Sequence, residues 1–71
     1  MALPSQLRLA RTSLGMTLHA VQIANGTDAS RLAKLETGKA IGRPGELEQL
    51  LRFYARQRRA LGAPHVESIS A

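Results

Sequence analysis

Cysteine and tryptophan are absent from this 71-residue chain, the aromatics amount to one Phe and one Tyr, and only five Asp and Glu stand against ten Lys and Arg. Without cysteine, neither a disulfide nor a thiolate zinc site can staple a small fold. No uninterrupted apolar run approaches the roughly 18 residues that a membrane span requires, so no membrane partner is expected. The opening Met1-Ala2-Leu3-Pro4 has no basic segment followed by an apolar stretch. No secretory signal is expected, and the cytoplasm is the expected compartment. A domain ordinarily takes about 100–200 residues, which excludes a multi-domain enzyme. A lone core of this size supplies only about 3–5 kcal/mol, so close helix packing or dimerisation must make up the stability.

An apolar fraction of 44% is too high for a disordered tail. The formal net charge of +5 points to a polyanionic partner. With so few aromatics for stacking bases, contact through phosphates is favoured, which fits double-stranded better than single-stranded nucleic acid.

Glycines and prolines divide the chain into segments whose apolar spacing is helical throughout, with no internal repeat. Leu3, Leu7, Ala10 and Leu14 predict a first helix from Pro4 or Ser5 to Leu14. Thr17 is the expected cap of a second, Leu18 to Ala24, ending at Asn25-Gly26. Asp28 is the expected cap of a third, Ala29 to Thr37, with Leu32 and Leu35 inward and Gly38 as its stop. The fourth runs from Glu46 to about Leu61 with Leu47, Leu50, Leu51, Tyr54 and Leu61 on one face, acidic residues early and arginines late. Gly62-Ala63-Pro64 is expected to stop it, which divides the chain into a domain over 1–63 and a polar tail over 64–71, mobile unless a partner orders it. In that tail only Val66 and Ile69 have apolar surface to bury, and they are candidates for an exchanged dimer contact.

Two short helices joined through a tight turn at Gly26 must cross steeply, which is the form of a helix-turn-helix. Gly15-Met16-Thr17-Leu18-His19-Ala20-Val21, through Ser30-Arg31-Leu32-Ala33-Lys34-Leu35-Glu36-Thr37-Gly38-Lys39, resembles the Cro/CI-type (XRE) helix-turn-helix family without gaps. Val21, Gly26, Leu32 and Leu35 fall on its core and turn positions, and Arg43-Pro44 resembles its basic connection into the next helix. The resemblance covers roughly residues 5 to 55. It implies an all-α fold, a small four- to five-helix bundle of the lambda-repressor-like DNA-binding type. It also implies a structural ion pair between Arg11 and Glu36. Gln22 departs from the family pattern, which prefers a small Ala there, and Asn25 and Thr27 are less apolar than usual. A long amide at a helix crossing must reach solvent or be hydrogen-bonded, because burying it unpaired costs about 1–3 kcal/mol; a slightly wider crossing is expected.

With Leu32 and Leu35 inward, the third helix turns Ala29, Ser30, Ala33 and Lys34 outward, and these are the expected base readers in a major groove. The family positions coincide with that set. Lys34 can donate to guanine O6 and N7, Ser30 can bond several base edges, and an alanine methyl can meet a thymine methyl. Arg31, at the edge of the face, is expected on a phosphate or a base. Thr17 with the free N–H groups of the second helix, Lys39 and Arg43 are expected on the DNA backbone.

Specific binding by so small a module generally uses two copies on half-sites one helical turn apart, so a homodimer is expected. Phe53, read as lying off the Leu47/Leu50/Tyr54 stripe, is either the anchor of that interface or a side-on filler of the core. Arg52, Arg56, Arg58 and Arg59 read as a solvated face that complements the helix dipole. His19 and His65 have no partner at ligand spacing, and no nucleophile elbow or phosphate loop is present, so neither a metal, a cofactor nor catalysis is expected. The expected function is a sequence-specific, repressor-like regulator on double-stranded DNA. The alternative is an antitoxin-like module whose tail or fourth helix binds a partner protein, with DNA binding secondary.

Overall fold

A computed structural model describes the backbone of residues 3–70 and the side chains of residues 3–61. Four helices follow one another: α1 (Pro4–Ser13), α2 (Leu18–Asn25), α3 (Ala29–Thr37) and α4 (Glu46–Ser70). Among the described residues there is no strand, and no helix is long and apolar enough to cross a membrane. Helix α1 starts at Pro4, whose fixed φ suits a first turn, and Gln6 Oε1 accepts the Leu3 N–H at 2.7 Å.

Helices of eight to ten residues are marginal in water on their own, so α1, α2 and α3 owe their stability to what they bury. Helix α1 packs on both α3 and α4, and α2 packs on α3. Each short helix contributes fully buried side chains to one core: Leu7, Val21, and Leu32 with Leu35. Leu50, Phe53 and Tyr54 of α4 close it, and Ala10, Leu14, Met16, Leu18, Ala40, Leu47 and Leu51 pack around it. Burying a leucine of this kind contributes about 1.5–3 kcal/mol relative to leaving it in water. Loss of any one therefore removes a large part of what holds so small a domain.

Three expectations for α4 are corrected. Phe53 is 5% exposed and does not offer an outward anchor. It stands three residues after Leu50, on the same face, and its ring meets that of Tyr54 at a centroid distance of 5.4 Å and 58°. Leu61, by contrast, is 63% exposed. It shares the helical phase of the inward stripe, but α4 has by then run past the helices that cover it. The backbone also stays helical to Ser70, beyond the stop expected at Gly62-Ala63-Pro64. A proline inside a helix forfeits one hydrogen bond and crowds the carbonyl four residues earlier, which can kink a helix without ending it. The tail expected to be mobile is helical in its backbone as far as Ser70, and the expected burial of Val66 and Ile69 lies outside the described side chains.

One charged link crosses the α1/α3 interface. Arg11 Nε and Nη2 donate to Glu36 Oε2 and Oε1 at 2.7 and 2.9 Å, while Arg11 Nη1 donates to the Met16 carbonyl at 2.9 Å. The bond to Glu36 raises the Arg11 pKa further, against the opposing effect of burial. Close by, the Tyr54 hydroxyl is buried with no hydrogen-bond partner among the described residues. Burial, and secondarily the Glu36 charge, push its pKa up to about 12.

Candidate nucleic-acid interface

The ends and the turn of the unit from Thr17 to Lys39 are fixed by local hydrogen bonds. Thr17 Oγ1 accepts the Ala20 N–H at 3.0 Å, which caps α2 at its start. The other end of α2 closes at Gly26, whose φ of +82° is the left-handed conformation that glycine adopts without a Cβ penalty. Asn25 Nδ2 donates to Thr27 Oγ1 at 2.8 Å across this turn.

Helix α3 is capped twice. Asp28 Oδ2 accepts the Arg31 N–H at 3.1 Å, and Gln22 Oε1, arriving from α2, accepts the Ala29 N–H at 2.9 Å. Gln22 thus meets the need for a partner by bonding the first residue of the next helix. Its length at this position has a use: the amide fixes the start of α3 relative to α2. Sequence reasoning missed this role, and the signal for it was the bulk of a polar residue where a small one is usual.

At its far end α3 stops at Gly38, φ +77°, with the Lys39 N–H donating to the Lys34 carbonyl at 2.9 Å and the Gly38 N–H to the Leu35 carbonyl at 3.4 Å. This paired pattern is a Schellman motif, and it folds the chain back so that Lys39 lies beside Lys34.

Leu32, Leu35 and Glu36 occupy the inward side of α3. The opposite side is outward: Ser30, Lys34 and Thr37 are exposed, and Ala29 and Ala33 are half-buried. Ser30, Ala33, Lys34, Thr37 and Lys39 line one shallow concavity. Three of the four expected base readers therefore share a surface, and Ala29 is not among the residues that line it. Thr37 was not singled out from the sequence; its Oγ1 donates back to the Ala33 carbonyl at 3.0 Å, leaving its methyl and oxygen lone pairs on the outward face. Thr17, Lys39 and Arg43 are all exposed, Lys39 within that concavity.

Arg31 is placed differently from expectation. Its Nη2 and Nε donate to Glu46 Oε1 and Oε2 at 2.7 and 2.9 Å, a fork-on-fork pair joining α3 to the first residue of α4. Glu46 Oε1 also accepts the Arg43 N–H at 2.8 Å, which closes the start of α4. These bonds, from Arg31 first and the Arg43 backbone second, hold the Glu46 pKa down at about 2. One edge of the Arg31 guanidinium is thus engaged by Glu46, with the side chain 35% exposed.

Elsewhere Arg58 Nη2 donates to Ser13 Oγ at 2.9 Å, tying α4 to the end of α1, and Arg52, Arg56 and Arg59 are exposed. Among the described residues no group of three or more His, Cys, Asp or Glu is gathered to hold a metal ion.

No curated protein and no solved structure matches the chain. A family model described as a helix-turn-helix domain matches residues 2–66, which spans all four helices traced above up to the last turn of α4. The chain belongs to this helix-turn-helix domain family, of the XRE-like group of DNA-binding domains.

Proposed function

We propose that the chain is a sequence-specific regulator that binds an operator in double-stranded DNA as a homodimer, acts in the manner of a repressor, and works in the cytoplasm. The observation that carries this reading is the sidedness of α3: Leu32 and Leu35 anchor it to the core, and Ser30, Ala33 and Lys34 form an exposed concave face with Lys39. A helix with its side chains is about 10–12 Å across, and the major groove of B-form DNA is about 12 Å wide.

In this reading Lys34 donates to guanine O6 and N7, Ser30 bonds a base edge, and the methyl groups of Ala33 and Ala29 meet thymine methyls. Thr17 with the start of α2, Lys39 and Arg43 hold phosphates on either side and fix the register. The readout from such small side chains is thin, so DNA shape contributes to discrimination. Two copies supply the margin over random DNA that one module lacks. Lys39 and Arg43 give about four cationic phosphate contacts per dimer, which corresponds to a log–log salt slope of about −4.

Selection of bound sites from random duplex DNA tests the reading. It predicts two enriched half-sites centred about one helical turn, or a multiple of it, apart. Absence of any enriched sequence, or binding indifferent to salt, contradicts it.

A further inference from the structure

Arg31 lies at the edge of the outward face of α3, between Ser30 and Leu32, where an arginine stem is long enough to reach a flanking backbone. Its side chain is 35% exposed, yet Nε and Nη2, one full edge of its guanidinium, both donate to Glu46, at 2.9 and 2.7 Å. The carboxylate is itself held from a third direction by the Arg43 N–H. We infer, resting on the DNA-binding reading above, that Glu46 is a positioning residue that withholds Arg31 from phosphate and so limits the sequence-blind part of binding.

The chemistry favours the pair over its exchange for phosphate. Fork-on-fork geometry satisfies both oxygens at once. Handing Arg31 to a phosphate leaves the Glu46 charge uncompensated at the rim of a polyanion, which repels it. Lone exposed ion pairs contribute little to stability. The point of this one is the cation that it removes from an otherwise positive surface made by Lys34, Lys39 and Arg43. A fourth free cation per protomer adds about two phosphate contacts to a dimer, and such contacts strengthen binding to any duplex.

Glu46→Gln tests this, because glutamine keeps an acceptor for the Arg43 N–H and loses the charge that holds Arg31. Titration of a fluorescent random-sequence duplex across 50–200 mM salt is expected to give a slope steeper by about 2 than that of the unaltered chain. Tighter binding at the low-salt end accompanies it, and Arg31→Met added to Glu46→Gln restores the original slope. An unchanged slope for Glu46→Gln overturns the proposal. So does a slope flatter in the Arg31→Met/Glu46→Gln double variant than in the unaltered chain, and because that variant strands no charge its result decides the matter even where Glu46→Gln alone does not fold. If the unaltered chain shows no salt-dependent duplex binding at all, it is the DNA-binding reading that fails, before Glu46 is reached.

Discussion

Arg11 of α1 grips both carboxylate oxygens of Glu36 on the inward side of α3, at 2.7 and 2.9 Å, with the two side chains only 12% and 4% exposed. Removing one partner of such a buried pair strands the other charge and costs about 3–5 kcal/mol. That equals the whole stability that a lone core of this size supplies. Arg11→Met is therefore expected to leave the chain largely unfolded at 25 °C by circular dichroism. Arg11→Lys, which keeps the charge but not the fork, is expected to lose less; equal, near-wild-type urea midpoints for both contradict this.

The turn between α2 and α3 depends on the positive φ of Gly26, where an added Cβ meets no neighbour within 4 Å. The cost of a substitution there lies in the backbone alone. Gly26→Ala is expected to destabilise by about 1–2 kcal/mol, and Gly26→Asn by less, because asparagine tolerates the left-handed region. Chemical denaturation measures both, and a neutral Gly26→Ala rules out the left-handed turn.

Glu46 has a folded pKa held at about 2, below its ordinary 4.5, by Arg31 and then by the Arg43 N–H. Its carboxylate form is the one that the fold favours, so its contribution is complete above pH 4.5 and is lost as the pH falls from there toward 2. The melting temperature is expected to decline across that window. In Glu46→Gln the decline is expected to be shallower, and an identical pH profile in the two proteins contradicts the pairing.

The unpartnered Tyr54 hydroxyl is a buried polar group without compensation. Tyr54→Phe removes it and keeps the ring, so it is expected to be neutral or stabilising by up to about 1 kcal/mol. Ultraviolet titration of the phenol is expected to place its ionisation near pH 12, not 10. A loss of several kcal/mol in Tyr54→Phe contradicts an unbonded hydroxyl.

Much of this fold is written in local signals. Thr17, Asp28, Gly26 and Gly38 act within three or four residues of themselves, so a cap or a turn can be read from the neighbouring residues alone. The inward stripe of α3 follows from the spacing of Leu32 and Leu35. Pairing at a distance is legible only where the family resemblance supplies it, as for Arg11 and Glu36. Arg31 meets Glu46 fifteen residues away across a glycine-containing connection, and Gln22 reaches Ala29 across the turn. Read alone, each of these side chains is a free polar group. Phe53 is a different case: its spacing of three from Leu50 is visible in the sequence, and the buried face of α4 is wide enough to include it beside Leu50 and Tyr54. Leu61 shows the converse, since periodicity assigns it a face but not a neighbour.

The central claim is that α3 presents Lys34 to bases, with Lys39 beside it on the backbone. Its most direct test is the affinity of Lys34→Ala and Lys39→Ala for a selected site and for a random duplex of equal length, at one salt concentration. Lys34→Ala is predicted to lose about 1–3 kcal/mol more on the selected site than on random DNA, whereas Lys39→Ala loses the same on both. If Lys34→Ala weakens the two duplexes equally, Lys34 does not read sequence and the account of α3 is wrong.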